Sequence, residues 1–421
     1  MPCETYSDGL WTRRDIRSIV LGTELTNERP MDISVTKIFD KPICGDLNTQ
    51  PASRCCAYPQ SALLSDGTIV CFYRVGTEKH SWDGSVEVAL SHDSGDNWSQ
   101  PITVFDGPAS EPVQSVICGG VCETSDRRLL VVFVAVDASR PELCLFSEEG
   151  QRLSHSVYCA RSDDGGLTWS APHQVDVRSL MNAGPTCKPH ALPNGQVFVP
   201  LETRIPSGVV GTAATFTVDG LRFAEPIICA GDHTGHVNYC DARFAVMGDG
   251  RLLMLLWTFL QESERTVDVH CCWSHDNGRS WSAPVPTGIP GQIAAPVCLP
   301  NGDVLIAVNH RTAPEGIHLW LWPDGNPEEA LGPVLMWSAC DKRLVAEPVY
   351  ENNTSCVEGV WDALPGFAFG TPDLLSLADG SVIMTYYAVI DGITHIRACR
   401  FLVECTTRPA QMTTREAVNV M

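Results

Sequence analysis

Ionisable side chains occupy alternate positions in short segments whose middle residue is small or apolar. The segments are Lys188-Pro189-His190, Asp241-Ala242-Arg243 and Thr371-Pro372-Asp373. Alternate residues of an extended strand point to the same face, so each segment would present its polar side chains together. Carboxylates from different segments could act together as acid and base, while the lysine and the arginine hold an acidic group of a substrate.

Each segment stands before a sequence typical of a tight hairpin turn. Asp-Gly or Asn-Gly precedes an apolar run at five places, and a degenerate copy, Ser125-Asp126-Arg127, fills the one large gap. Such pairs favour two-residue turns between antiparallel strands. The turns begin at positions 66, 126, 194, 249, 301 and 379, so the sequence predicts six repeating units.

A second pattern, Ser-x-Asp-x-Gly-x-x-Trp, occurs three times. A short carboxylate accepts bonds from nearby backbone N–H groups, glycine tolerates positive φ, and the tryptophan fastens the turn by burying its ring. We therefore expect the three aspartates to be structural. The copies are Ser91-Asp93-Gly95-Trp98, Ser162-Asp164-Gly166-Trp169 and Ser274-Asp276-Gly278-Trp281.

This pattern resembles the Asp-box, or bacterial neuraminidase repeat (BNR), of the sialidase superfamily, in which the box is a turn staple at the blade periphery. Weakened copies, Thr217-Val218-Asp219-Gly220 and Pro323-Asp324-Gly325, fall where the third and fifth units need them. Six four-stranded units without helical periodicity predict an all-β fold. We expect a sialidase-like, six-bladed β-propeller of four-stranded antiparallel blades.

The propeller is expected to form one domain over residues 1–421. A strand near 33–39 would join the last blade beside 394–399 and close the ring, which removes exposed sheet edges. A long insertion at about 337–366 precedes the last blade, and long loops on a rigid ring are often functional.

In a propeller the innermost strand of each blade lines the central channel, so its alternate residues determine what the channel mouth binds. When the blades are aligned on the proline before the turn, Tyr58-Pro59-Gln60 and Ala295-Pro296-Val297 correspond to the polar segments. The converging charges are costly unless they pair or bind a ligand, and mutual neutralisation in a solvated channel is the alternative. The candidate catalytic residues are Asp83, Asp241, Asp373 and His190; the candidate substrate-binding residues are Tyr58, Arg74, His80, Lys188, Glu202, Arg243, His310 and Arg311; Glu123 and Gln292 could join them.

The loop of residues 73–84 in the first unit supplies several of these candidates. It carries Arg74, His80 and Asp83, and Trp82 is suited to stacking on a sugar face. A solvated loop would explain the charges equally well, although it would explain the tryptophan less readily.

The chain departs from the catalytic pattern that the resemblance implies. A sialidase uses three arginines on the substrate carboxylate, a Tyr nucleophile activated by a Glu, and an Asp acid/base. Its first arginine lies in an Arg-Ile-Pro sequence, where this chain has Ala57-Tyr58-Pro59, and no Tyr stands at the start of the last blade. Asp83 falls about where the acid/base Asp would lie, and Arg243 could replace part of the carboxylate grip. The resemblance therefore implies the fold and not sialidase chemistry.

Three kinds of function remain open. The first is an exo-acting glycoside hydrolase on an acidic or polyhydroxylated sugar, with Asp83 as general acid and Asp241 or Asp373 as its partner. The second is a lyase in which His190 or a Tyr abstracts a proton next to a carboxylate. The third is a glycan- or protein-binding propeller without chemistry.

Composition limits the classes of partner and the cellular compartment that we expect. The 421 residues include 29 Lys and Arg against 50 Asp and Glu, and the formal net charge of -21 argues against nucleic acid and anionic membranes. The 19 scattered cysteines and the N-terminus without an apolar segment favour a reducing cytoplasm. We expect no nucleotide cofactor, since no Gly-rich loop joins a strand to a helix, and no metal, since no ligand motif of fixed spacing occurs.

Overall fold

The six predicted turns all join the first and second strands of antiparallel sheets. Each turn has the same two backbone bonds: in the first, Leu64 donates its N–H to Thr68 O and accepts from Gly67 N. The glycine has positive φ in five turns, and Arg127, with φ 65°, takes its place in the sixth. The turn chemistry that predicted six repeats therefore fixes the strand register in every blade.

The computed structural model describes residues 31–44, 54–142, 153–263, 265–338 and 367–407. Contacts within the chain separate a unit Asp32–Thr406 from a second unit, Met1–Met31 with Thr407–Met421. All of the second unit except Met31 and Thr407 lies outside the described residues, as do residues 339–366 of the predicted insertion.

The first three blades are formed in chain order. Blade one contains β2 (Cys55–Leu63), β3 (Ile69–Gly76), β4 (Ser85–Ser91) and β5 (Ile102–Phe105). Blade two contains β6 (Gln114–Glu123), β7 (Leu129–Asp137), β8 (His155–Ser162) and β9 (His173–Val175). In blade three the innermost strand is interrupted, so β10 (Met181–Gly184) and β11 (His190–Ala191) both pair with β12 (Val197–Arg204), followed by β13 (Val210–Thr217) and β14 (Ile227–Ala230).

The last three blades complete the ring. Blade four contains β15 (Val237–Val246), β16 (Leu252–Leu260), β17 (His270–Ser274) and β18 (Val285–Pro286). Blade five contains β19 (Ala294–Cys298), β20 (Val304–His310), β21 (Gly316–Trp322) and β22 (Leu331–Ser338), with short 3-10 turns at Pro323–Gly325 and Pro327–Glu329. Blade six contains β23 (Phe369–Ser376), β24 (Val382–Ile390), β25 (Ile393–Thr407) and the outermost strand β1 (Met31–Pro42).

Consecutive blades pack side by side, and the innermost strand of blade six packs on that of blade one, so the ring is closed. Strand β1 is held in blade six by Asp40, whose carboxylate accepts hydrogen bonds from the Tyr386 hydroxyl at 2.8 Å and from Arg397 Nε at 2.7 Å. The predicted all-β, six-bladed propeller of four-stranded antiparallel blades is confirmed.

The three Asp-boxes are turn staples. In the second box, Asp164 Oδ1 accepts from Ser162 Oγ at 2.8 Å and from Thr168 N at 2.9 Å, while Trp169 Nε1 donates to Gly166 O. These bonds, first of all that from the Thr168 side chain, lower the pKa of Asp164 to about 2. The other two boxes have the same pattern of bonds around Asp93 and Asp276.

The core lies between neighbouring blades. The second strand of each blade is largely buried, because its alternate residues pack against the blades on either side; Leu129–Val136 of β7 are all buried. Adjacent cysteines such as Cys271 and Cys272 are both buried, and the cysteines of the described residues are free thiols. The described residues include no helix long and apolar enough to cross a membrane.

Candidate functional site

The common turn gives every residue of an innermost strand a defined height along the channel. We count back from the residue that opens the turn, which is Leu64 in blade one and Leu377 in blade six. Residues two, four and six positions before it form three layers across the axis. The upper layer contains Tyr58, Cys118, Thr186, Asp241, Ile293 and Thr371; the middle layer contains Gln60, Gly120, Lys188, Arg243, Ala295 and Asp373; the lower layer contains Ala62, Cys122, His190, Ala245, Val297 and Leu375.

This register corrects the alignment of the blades on their prolines. In blades one and six the proline lies in a bulge above the middle layer, whereas Pro189 and Pro296 lie two residues further along the chain. The innermost strand is a sheet edge whose outer N–H groups have no ladder partner, so proline is tolerated at several of its positions. Lys188 therefore lies level with Asp373, and His190 lies one layer below it.

A cavity of about 110 Å³ occupies the upper end of the channel. All six upper-layer residues line it. Five residues of the second strands line it as well, one from each of blades two to six. Each stands six positions after the residue that closes its turn, which is Arg128 in blade two. We call this second set the second-strand row. It contains Val134, Glu202, Trp257, Asn309 and Tyr387.

The middle layer closes the floor of the cavity. Lys188 Nζ lies 2.9 and 2.8 Å from the two carboxylate oxygens of Asp373, across the axis from blade three to blade six. Gly120 makes this crossing possible, since a Cβ there would lie 2.4 Å from Lys188 Cα. Ser61 N also donates to the Asp373 carboxylate, at 2.7 Å. Lys188 and Asp373 consequently plug the channel and do not line the upper cavity.

Glu202 and Asp241 both line the cavity, and they come from neighbouring blades. Glu202, from the second-strand row, accepts a hydrogen bond from Asp241 N at 3.0 Å. The Asp241 carboxylate lies 3.7 Å from the buried Arg243 guanidinium. Sequence analysis selected all three residues, and the structure brings them together.

The wall formed by blades five and six is rich in hydrogen-bond donors. Arg311 stacks between the rings of Phe367 and Phe369 at about 4 Å from each centroid and donates to Phe369 O at 2.7 Å. Its second terminal nitrogen, Nη1, is buried without a hydrogen-bond partner among the described residues. The Gln292 side-chain nitrogen and the Asn309 side-chain amide line the same cavity, and they too are buried without hydrogen-bond partners among the described residues. Such groups are costly to bury unless a ligand completes their bonding.

Two tyrosines complete the cavity on the side of blades one and six. The Tyr58 hydroxyl and His80 Nε2 share a hydrogen bond of 2.9 Å, and their rings are stacked. Burial raises the pKa of Tyr387 to about 12, while the neighbouring Arg311 opposes the shift. Lys79 donates to Phe367 O at 2.6 Å and lies 5.4 Å from the centroid of the Tyr387 ring; burial lowers its pKa to about 8.

Several predicted site residues lie outside this cavity. Arg74 is fully buried and donates to Val116 O and Ser81 O, so it supports the loop of residues 73–84 from below. Asp83 accepts from the Thr77 N–H at 3.0 Å; burial would raise its pKa, but bonds from Ser81 and Thr77 hold it below the usual value. A carboxylate that accepts these hydrogen bonds and has a low pKa does not suit the general-acid role that we predicted for Asp83.

Two histidines are also displaced from the cavity. His310 stacks on His318 with ring centroids 4.5 Å apart and bonds to Pro314 O. His190 lines a separate cavity at the opposite end of the channel, where Glu123 also lies. Burial lowers the pKa of His190 to about 3, so it remains neutral. Among the residues described, no group of three or more His, Cys, Asp or Glu side chains is arranged to hold a metal ion.

Sequence reasoning missed several polar residues that line the cavity, among them Asn309, Tyr387 and Thr371. Asn309 and Tyr387 stand in the second-strand row, and counting six residues forward from each turn would have selected both. The sequence drew attention to Thr371 only as a neighbour of Asp373, but the structure places Thr371 in the upper layer.

Comparison with known proteins agrees with this architecture. Residues 123–332 match the family described as a BNR repeat-like domain. This match spans 210 of the 421 residues, and the chain is similar to that family over this segment. No curated protein matches the chain.

Solved structures share the propeller with low sequence identity. A protein of unknown function from Dyadobacter fermentans is 17% identical over 88% of this chain and 99% of its own, with a TM-score of 0.69. The intramolecular trans-sialidase of Ruminococcus gnavus is 13% identical over 88% and 97%, with a TM-score of 0.57. The α-L-arabinanase of Penicillium chrysogenum is 12% identical over 87% and 98%, with a TM-score of 0.58. These likenesses support the fold.

At the positions where a sialidase has its catalytic residues, this chain has other side chains. Tyr58 stands where a sialidase has the Arg-Ile-Pro arginine, and Thr371 stands at the start of the last blade, where a sialidase has its nucleophilic Tyr. Tyr387 reaches the cavity from the second strand of that blade instead.

Proposed function

We propose that the protein is an exo-acting glycoside hydrolase whose substrate presents a terminal acidic or polyhydroxylated sugar. The observation that carries the proposal is the convergence, in one cavity, of the Glu202 and Asp241 carboxylates with the buried donors of Arg311 and Gln292. The middle layer closes the floor, which suits a chain end rather than a chain that passes through.

The carboxylates would divide the work of hydrolysis between them. Asp241, beside Arg243, would either attack the anomeric carbon as the nucleophile or take a proton from the water that attacks it. Glu202 would protonate the departing glycosidic oxygen as that bond breaks, and water would supply the new hydroxyl group. Arg311, Gln292 and Asn309 would bind a carboxylate or hydroxyl groups of the terminal sugar, because their unpartnered N–H groups require acceptors.

A panel of p-nitrophenyl uronides, arabinosides and sialosides, together with acidic oligosaccharides, tests this function. We expect new reducing ends with the wild type and a loss of turnover of about 10²- to 10⁴-fold in Glu202→Gln and Asp241→Asn. Glu123→Gln is the matched control, because its carboxylate lies at the opposite end of the channel, bonded to Ser65. Equal activity of all four proteins would exclude the Glu202 and Asp241 pair.

A lyase is the second candidate, and the Tyr58–His80 pair favours it. The imidazole could remove the proton next to a substrate carboxylate held by Arg311. The electrons of that C–H bond would form the new double bond as the C–O bond breaks, with the Tyr58 hydroxyl protonating the departing oxygen. Unsaturated, ultraviolet-absorbing products without new water-derived hydroxyl groups would identify this reaction. Binding of these sugars without any product would indicate a glycan-binding propeller.

A further inference from the structure

Three residues of the upper layer have an unfavourable backbone conformation at the same position of three blades. Tyr58 has φ 58°, Asp241 has φ 45° and Thr371 has φ 44°. Each falls within an irregularity of strand pairing, between Ala57 and Gln60, Cys240 and Arg243, or Gly370 and Asp373. We call these three residues the strained shelf.

The strain is greatest for Thr371. A β-branched residue rarely adopts positive φ, because its Cβ substituents crowd the backbone. Tyr58 and Thr371 also precede prolines, which push the preceding residue toward an extended conformation with negative φ. Non-glycine residues keep such conformations only where the surrounding structure imposes them, and they cluster at ligand sites.

The shelf directs its side chains into the cavity. Tyr58 bonds to His80, and Asp241 bonds to Glu202 through its N–H, but the Thr371 hydroxyl is buried without a hydrogen-bond partner among the residues that the structure describes. Phe369, two residues earlier in the same strand, accepts the hydrogen bond from Arg311. Thr371 therefore belongs to the donor-rich wall on which Arg311 would hold an acidic group.

We propose that Thr371 is a substrate-binding residue whose hydroxyl contacts an oxygen of the terminal sugar, and that the strained backbone holds it in that position. The inference rests on the proposed function and adds a contact to it. A polar ligand that enters the cavity would supply the missing bond to this buried hydroxyl.

Three substitutions at this position separate the hydroxyl from the strain. Thr371→Val keeps the shape and removes the hydroxyl, Thr371→Ser keeps the hydroxyl, and Thr371→Gly removes both the hydroxyl and the strain. We expect Thr371→Val and Thr371→Gly to raise KM about three- to tenfold, the loss typical of one hydrogen bond, and Thr371→Ser to stay within about twofold of the wild type. Thr371→Gly should also raise Tm by about 1–4 °C, because glycine adopts positive φ freely.

Arg127→Gly is the matched control for strain relief. Arg127 has φ 65° in the turn of blade two, where the other blades have glycine, and it does not line the cavity. We expect this variant to raise Tm as Thr371→Gly does while KM is unchanged. A Thr371→Gly protein no more stable than the wild type would show that the shelf stores no strain.

Failure of this inference and failure of the proposed function give different results. D-glucuronate, L-arabinose and N-acetylneuraminate serve as probes in thermal-shift titrations, which need no turnover. If the wild type turns over a glycoside or is stabilised by a probe, and Thr371→Val behaves identically, only the role of Thr371 is overturned. If the wild type responds to no glycoside and no probe, the proposed function is overturned and the inference with it.

Discussion

Lys188 Nζ lies 2.8 Å from Asp373 Oδ2 although the two residues belong to blades on opposite sides of the ring. Both side chains are largely withdrawn from solvent, with 14% and 6% of their surfaces exposed. The pair joins distant parts of the chain across the axis and forms the floor on which a ligand would rest. Its position suggests that it stabilises the closed ring rather than reacting with substrate.

Removing one member of this pair should destabilise the protein more than it slows any reaction. Lys188→Met leaves the Asp373 carboxylate buried with Ser61 N as its remaining partner, and we expect the free energy of unfolding to fall by about 3 kcal/mol. The double variant Lys188→Met/Asp373→Leu should recover most of this loss, since no uncompensated charge remains. Urea denaturation measures both.

The exposed pair of Arg178 and Asp176, also at 2.8 Å, is the control for the axial pair. Arg178→Met should leave the free energy of unfolding nearly unchanged, because solvent screens a surface ion pair. If Lys188→Met proves as stable as the wild type, the axial pair has no stabilising role, and a catalytic role for Asp373 returns to consideration.

The sequence specified the fold because the turn signals are local. Asp66-Gly67 and its equivalents need only their immediate neighbours to form, and six of them in order determine the number of blades. The site could not be predicted from local signals alone, because it depends on how many residues separate each side chain from its turn. Alignment on Pro189 misplaced Lys188 and His190 because prolines occur at different heights of an edge strand. Spacing placed Asp83 among the site residues, but it does not reveal the bonds from Thr77 and Ser81 that hold this carboxylate outside the cavity.

Burial of Lys79 predicts a pH-dependent contribution to stability. Its pKa falls from 10.5 to about 8 in the folded protein, so the unfolded chain binds more protons between these values. Stability then rises with pH across this window as the cost of burying the ammonium group disappears. Relative to Lys79→Met, the wild type should gain up to about 3 kcal/mol between pH 7 and pH 10.5.

The difference between the two proteins is the quantity to measure, because the buried cysteines and tyrosines titrate in both. Denaturation curves at intervals of one pH unit suffice. A difference that stays constant from pH 7 to pH 10.5 would show that Lys79 keeps its ordinary pKa in the folded protein.

Arg311 should discriminate acidic from neutral substrates. Arg311→Lys keeps the positive charge but loses the planar fork and the buried Nη1 that has no partner among the described residues. We expect KM for an acidic glycoside to rise by about 10- to 100-fold, in line with the loss of a charge-assisted hydrogen bond, and KM for a neutral glycoside to change less than about threefold. Equal changes for both substrates would place the substrate acid group elsewhere.

The Tyr58–His80 hydrogen bond separates the two catalytic proposals. Tyr58→Phe removes the hydroxyl that lies 2.9 Å from His80 Nε2 and keeps the ring that packs edge-on against Tyr387. If Glu202 and Asp241 carry out hydrolysis, the tyrosine only shapes the cavity, and kcat should fall by less than about tenfold. If the pair performs an elimination, loss of the proton donor should lower kcat by about 10²-fold or more. We expect the smaller effect, with reducing ends and no ultraviolet-absorbing product, because the carboxylates stand beside the cation and the donors that would hold the substrate. The larger effect combined with unaltered turnover in Glu202→Gln would reverse the assignment and make the tyrosine and histidine the reacting groups.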